Sequence, residues 1–391
     1  MRTNIISGMS LVVLSSGMAQ AGGFEVQTLD TSAMYQSGGY ASFSTAQINS
    51  DLGGQVGNGP KTKTLRDQSI TNFALKSDVG VVGVGLSSYR SGAIQMSGEN
   101  DYSTTYAPSA DADLDSMTLM ANYSLSDEIS ILAGFTQNTL KAFTLNTLAS
   151  GSVGTPYQIN SGTSTGYVIG AAYSIPDIAL RAELLYQPSS ALTTDGTFAG
   201  AALTAAIKRP ETLTLNFQTG IAEGTLLTAS VHNAKWSSAP VTVDTVVAVA
   251  DINETFDDST KYSIGLARKL GDKWAISAGY SREEGGGSDA TSLFTLSNGS
   301  QAVSLGGRYT LSENMNISFG VSYTMFGDVT VNNVGARTAI ARAGYDLASG
   351  VPGSFDALAA VAQDAVVDTI DPIKYESNTA TTFGVKLGIS F

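Results

Sequence analysis

Strict alternation of apolar and small polar residues dominates the chain and is clearest at its end. Phe383, Val385, Leu387, Ile389 and Phe391 interleave with Gly384, Lys386, Gly388 and Ser390. Met315, Ile317, Phe319, Val321, Tyr323 and Met325 do the same with Asn316, Ser318, Gly320, Ser322 and Thr324. A period of two puts successive side chains on opposite faces of a strand, so these segments predict strands with one apolar face and one polar face. Working back, further strands are predicted at 303–311, 274–280, 262–270, 227–236, 213–217, 178–186, 167–173, 129–135, 117–125, 79–89, 70–74 and 40–48. The total is fourteen.

The connections alternate as regularly as the residues. Tight turns fall at Ser77-Asp78, 126–128, Pro176-Asp177, Glu223-Gly224, Gly271-Asp272 and 312–314, and between them come longer stretches near 50–66, 92–112, 142–163, 191–207, 239–258, 285–298 and 328–380. Six short and seven long connections are what fourteen antiparallel strands require when both ends lie on one side of a membrane barrel. A β-sandwich has no reason to alternate so. Two girdles of aromatics are expected, Tyr123, Tyr173, Trp274, Tyr309 and Phe391 on the side of the turns and Tyr89, Tyr186, Trp236, Tyr280 and Tyr323 on the side of the loops. The fold class predicted is therefore all-β: a fourteen-stranded antiparallel transmembrane β-barrel with helical pieces in its outer loops.

The first residues set the compartment. A positive start at Arg2, an apolar run to Met18 and an Ala19-Gln20-Ala21 exit form a secretory signal peptide over 1–21. The run is shorter than the roughly 20 residues that span a bilayer. Residues 22–38 are then a short plug segment before a barrel of 39–391 with its longest outer loop at 328–380. Glycine is abundant (42 residues), only 14% of residues are charged and cysteine is absent, so rigidity must come from a hydrogen-bonded sheet. The net charge of −13, which becomes −14 without Arg2 (20 basic against 34 acidic residues), excludes nucleic acid as a partner.

Catalysis has little to work with. The only histidine is His232, and Ser230, two positions away on the same strand face, lies about 6.6 Å along it with no evident orienting acid. No Cys/His metal set exists, Asp111-Ala112-Asp113-Leu114-Asp115 lacks the Gly and Glu of a calcium loop at the sixth and twelfth positions, and Gly285-Gly286-Gly287 has no strand-to-helix context. No enzyme activity and no cofactor are expected.

Gly22-Gly23-Phe24, the run Ser37-Gly38-Gly39-Tyr40-Ala41-Ser42-Phe43 leading into the first strand, and the count of fourteen resemble the FadL-type outer-membrane transporters of long-chain fatty acids and other hydrophobic compounds. The resemblance is architectural and covers the whole chain. It implies a monomer in the outer membrane, in contact with lipid and lipopolysaccharide. Insertion machinery would read the terminal Phe391. It also implies an N-terminal hatch in the lumen, here reduced, because no Asn-Pro-Ala triplet precedes the first strand. Phe24, Met34 and Tyr35 would line it.

A hydrophobic passenger needs an apolar collecting surface, and Phe198, Ala201, Ala202, Leu203, Ala205, Ala206 and Ile207 are more apolar than an exposed loop should be, with spacing that allows a short amphipathic helix. Phe355, Leu358, Ala359, Val361, Ala362, Ala365 and Val366 form a second such stretch after Gly353-Ser354; each stretch is either a loop cap that packs on itself or a ligand groove, and the family's outer loops favour the groove. A carboxylate head would need a cation in the barrel, and alternation puts Arg181, Arg308 and Lys386, together with Glu183, on the lumen face. The bland alternative is that these charges pair across a wet interior and only fix packing. Gly83, Gly85 and Gly92 let their strand bend or bulge, or serve only close packing. Exit sideways into the outer leaflet and exit into the periplasm both stay open, and a general or small-solute porin with a structural surface role is the alternative function. Fourteen strands are fewer than the about 16 to 18 of open porins, which favours a narrower or plugged lumen.

Overall fold

The computed structural model describes residues 27–98, 106–147, 155–246 and 250–391. Fourteen strands of these residues close into one barrel: β1 Tyr40–Asp51, β2 Gln68–Val79, β3 Val82–Ser97, β4 Ser109–Ser124, β5 Ile129–Leu140, β6 Gly162–Ile175 and β7 Leu180–Gln187. The ring continues with β8 Glu211–Ala222, β9 Thr225–Lys235, β10 Ser259–Leu270, β11 Trp274–Glu283, β12 Ser300–Ser312, β13 Met315–Phe326 and β14 Thr379–Ser390. Each strand pairs antiparallel with its sequence neighbours. Closure is made by β14 against β1, from Tyr40↔Ser390 to Asp51↔Thr379. Every one of the fourteen predicted strands is present.

Barrel closure leaves no free edge, and most outward residues around the middle of the barrel are exposed and apolar, among them Phe43, Leu119, Phe135, Ile264, Leu305 and Phe383. Their inward neighbours are small or polar, for example Ser42, Thr118, Ser318 and Thr382, all buried. Apolar side chains exposed in a continuous band around a closed sheet belong in lipid, so the barrel spans a membrane; this is the architecture of the bacterial outer membrane. No helix of the described residues is long and apolar enough to cross a membrane.

The turn-side girdle of Tyr123, Tyr173, Trp274, Tyr309 and Phe391 is in place, with Trp274 and Tyr309 rings 4.7 Å apart. Two of the loop-side aromatics are not girdle residues. Tyr89 points into the lumen and Trp236 lies in the core of the outer cap, both buried. Tyr89 sits two positions from Ser87 on the inward face of β3, and Trp236 begins a 3-10 turn after β9 ends, so strand-end position alone misplaced them.

The barrel's two ends meet at a pair of backbone hydrogen bonds, Gly39 N to Phe391 O and Phe391 N to Gly39 O, both 2.9 Å. A Cβ at Gly39 would overlap the Phe391 ring. The first turn falls at Gly80-Val81 rather than Ser77-Asp78, because Gly80 alone supplies the positive φ (64°) it needs.

The outer connections fold into a cap with its own apolar core. The stretch 191–207 is not a helix. Ser190–Phe198 and Ala201–Arg209 form a β-hairpin through Ala199-Gly200, both with positive φ. Its first strand alternates buried and exposed residues without a break, a period-two pattern that the alanine-rich second half obscured. In the long insert, helix α1 (Val334–Ser349) and helix α2 (Ala360–Val367) are present. The expected helix over Phe355–Val366 thus begins at Ala360, and Phe355 precedes it in a turn that packs on Ala341 and Val367.

Candidate functional site

Three features line the axis of the molecule from the outside inward: the cap core, a cavity in the lumen closed below by the N-terminal segment, and a break in the barrel wall beside that cavity.

The cap core draws residues from nearly every outer connection, including Leu52, Tyr106, Tyr157, Phe198, Leu203 and Trp236, with Ile207 partly buried against it. Tyr157 and Phe198 stack with centroids 4.5 Å apart, and Trp236 meets Phe256 edge to face. Hydrogen bonds tie the rims, such as Tyr157 Oη to Ala250 O and Tyr106 Oη to Asp371 O, each 2.8 Å. Buried in this core is Glu254, whose carboxyl is pushed up to about 7 by burial, with a Ser292 hydrogen bond opposing.

Residues 27–39 enter the barrel, and a single 3-10 turn, Ser32–Tyr35, crosses its lumen. Charges of the wall hold it. Glu183 on β7 is 1% exposed and accepts from Thr31 Oγ1 (2.8 and 2.9 Å), from Asn216 Nδ2 (2.8 Å) and from Tyr35 Oη in a very short bond. Arg181 lies over the Tyr35 ring at 4.0 Å. Lys386 pairs with Asp30 (3.2 Å), and Lys76 donates to Gln36 O and Gly38 O while pairing with Asp78. Met34 packs against Gly85, where a Cβ would overlap its sulfur. Leu29 and Met34 join Tyr89, Met120, Leu132 and Leu185 in a second apolar cluster.

Above the turn lies a cavity of about 360 Å³ lined by polar groups of Ser42, Asn72, Ser87, Asn216, Ser230 and His232 between apolar ones such as Leu29, Ile48 and Ile70, with Arg181 and Lys386 at its edge. Arg181, Glu183, Arg308 and Lys386 all face inward, as alternation requires. Three of them meet the plug; Arg308 borders neither plug nor cavity, and its Nε is buried without a hydrogen-bond partner. Phe24 lies outside the described residues. His232 Nδ1 is 2.8 Å from Thr214 Oγ1, and no group of three or more metal-ligating side chains occurs among the described residues. Sequence patterning missed Asp30, Thr31 and Lys76, which matter only because the plug folds back on the wall.

The wall itself opens between β2 and β3. Their pairing runs from Val79↔Val82 to Phe73↔Ser88 and stops, while β1 still pairs with β2 up to Ile48↔Gln68. On the other side β3 stays with β4 to Ser97↔Ser109, but the register shifts between Arg90 and Gly92. The extra residue, Ser91, bends β3 away from β2. A lone bridge, Leu65↔Met96, closes the gap above. The glycine at 92 was the sequence signal for this bulge.

Comparison with solved structures gives the same architecture. A Pseudomonas aeruginosa FadL homologue superposes with a TM-score of 0.69 at 13% identity, over 92% of each chain. The toluene transporter TodX of Pseudomonas putida gives 0.61 at 12% identity over 95% of this chain and 96% of that one, and the toluene transporter TbuX of Ralstonia pickettii gives 0.60 at 12% over 95% and 97%. The chain has the FadL-type barrel fold. No family model and no curated protein matches the sequence.

Proposed function

We propose that this protein carries hydrophobic small molecules, a long-chain fatty acid or a related lipid or hydrocarbon, across the outer face of the outer membrane by passive diffusion. The observation that supports this most is the β2–β3 gap beside a lumen cavity whose lower exit is occupied by a fastened plug. Ligand enters through the cap, whose apolar core around Phe198, Leu203 and Ile207 offers a medium it can partition into when the loops part. Met34 and Tyr35 belong to the plug turn, and the cavity itself offers Arg181 and Lys386 for an acidic head. Arg308 stands apart from this path. With the way down blocked, the ligand leaves sideways into the outer leaflet. The solved barrels of the same fold include toluene transporters, which agrees with a hydrophobic cargo.

The barrel works as a monomer among outer-membrane lipid and lipopolysaccharide, and Phe391, exposed on the lipid side, is the residue the insertion machinery reads. The polar lumen suits the competing reading, a small-solute porin. Planar-bilayer conductance and uptake of labelled palmitate and toluene in a deletion strain separate the two. Low conductance with deletion-sensitive uptake supports the transporter. Steady conductance with unchanged uptake refutes it.

A further inference from the structure

A chain of buried side-chain hydrogen bonds runs from the cap to the bulge in β3. Ser190 and Arg209 pair at the root of the cap hairpin. Arg209 Nη1 donates to Asn138 Oδ1 on β5 (3.1 Å), and Asn138 Nδ2 donates to Ser164 Oγ of β6 (3.3 Å) and to Ser190 Oγ (3.5 Å). The same Oδ1 accepts from Ser116 Oγ of β4 (2.6 Å), which lies 2.7 Å from the Oγ of Ser91, the extra residue of the bulge. An amide oxygen only accepts, so Ser116 donates to Asn138 and receives from Ser91. Asn138, Ser116 and Ser91 are 0%, 1% and 3% exposed. At that depth water does not replace a lost partner, so the chain holds or fails as a unit.

The two edges of the opening match one another. Continued in the register of Phe73↔Ser88, Asn72, Thr71 and Ile70 would meet Tyr89, Arg90 and Ser91. Their faces agree, since Asn72 with Tyr89 and Ile70 with Ser91 face inward, while Thr71 and Arg90 face out. The lone bridge Leu65↔Met96 keeps the same register beyond the gap. Asn72 Oδ1 and Tyr89 Oη, both buried without a hydrogen-bond partner among the described residues, would become cross-strand neighbours. The third pair of this zip needs Ser91, which is held on β4 instead, by Ser116 and with its Oγ 3.2 Å from Leu114 O.

We infer that Asn138 couples the cap to the wall opening. With the hairpin docked, Arg209 and Ser190 hold Asn138, which through Ser116 keeps Ser91 in the bulge and β3 bent away from β2. When entering cargo lifts the hairpin, Asn138 loses those two partners, Ser91 is freed and β3 zips onto β2. Cap and wall therefore open out of phase: the side is open while the cap is shut, and closes while the cap admits cargo. Arg90, paired with Asp113 on the outer face (2.9 Å), fastens β3 to β4 without reaching the cap, so it does not carry the coupling. This inference rests on the transport reading and adds the order of its two steps. Asn138 acts in it as a positioning residue, away from the cargo.

The test uses the full-length protein, which has no cysteine of its own, in nanodiscs with spin labels at Thr71→Cys on β2 and Thr163→Cys on β6. Both positions are exposed on the lipid side, and the line between them crosses the opening. Heat-modifiable gel mobility verifies each barrel. Electron-spin distance measurements on the parent should show mainly the longer distance. Ser116→Ala cuts the chain between Asn138 and the bulge and should raise a second, shorter population about tenfold, the shift that loss of one buried hydrogen bond brings. Asn138→Leu should do the same, and Asn138→Asp, which keeps the acceptor for Ser116 and Arg209, should match the parent. Phe198→Ala, which loosens the hairpin, should raise the shorter population in the parent but add nothing in Ser116→Ala. Unchanged distances in Ser116→Ala would overturn the inference, and so would a Phe198→Ala effect as large in that variant as in the parent. The distances are read without cargo, so a parent that takes up neither palmitate nor toluene refutes the transport reading separately, a distinguishable result.

Discussion

Replacing Glu183 with alanine should release the plug from the barrel wall. In the parent, one carboxylate holds Thr31 and Tyr35 of the plug and Asn216 of β8, at 1% exposure. A hydrogen bond to a charged group contributes about 1.5–3 kcal/mol, so the two that join plug to wall amount to roughly 3–6 kcal/mol. The Lys386–Asp30 and Lys76 contacts remain, as does the packing of Leu29 and Met34, so the segment loosens rather than leaves. The amides of Met34 and Gln36, which donate to Thr31 O and Ala33 O, report the turn directly. Their hydrogen exchange, followed by mass spectrometry on protein in bilayer nanodiscs, should accelerate by about 10²–10⁴, while β5 and β6 amides stay protected. Glu183→Gln, which keeps the volume and some of the hydrogen bonding, should fall between. Exchange at 27–39 within threefold of the parent in Glu183→Ala would refute the claim that this carboxylate is the plug's main anchor.

Three further outcomes follow from the same geometry. Gly85→Ala puts a Cβ onto the Met34 sulfur and should cost about 1–3 kcal/mol in plug stability, relieved by a second Met34→Ala change and read by the same exchange assay. Phe198→Ala removes a ring that is 6% exposed and stacked on Tyr157, and should destabilise the cap by about 3–5 kcal/mol, seen as faster trypsin cleavage of the outer loops with the barrel intact. Glu254 titrates near 7 in the cap against 4.5 in an open chain, so the cap is most stable below about pH 4.5 and loses stability as pH rises through 7, by up to about 3 kcal/mol; cap proteolysis should be faster at pH 8 than at pH 5, and Glu254→Gln should flatten that difference.

Alternation along each strand and the rhythm of short and long connections were enough to count the strands, place every turn but the first and assign the lumen face, since these depend on neighbouring residues alone. Arg181, Glu183 and Lys386 face inward for that reason. The signal for the β3 bulge was also local, a glycine at 92 in a strand that otherwise alternates cleanly. Helix and strand could not be told apart at 191–207, where a run of alanines satisfies both periods, and pairing with Val241–Thr245 across the cap decided it.

What the chain could not state locally is which residues distant in sequence come together. Asp30 meets Lys386 across 356 positions, and Thr31 meets Glu183 across 152, because closing the sheet brings the last strand beside the first and encloses the plug between them. The missing β2–β3 ladder is likewise a relation between strands: Ser91 shifts the register of β3, but only the pairing that β2 keeps with β1 turns that shift into an opening. Alternation determined a barrel with an apolar exterior and a polar interior; closure decided that it is plugged below, capped above and open at one side.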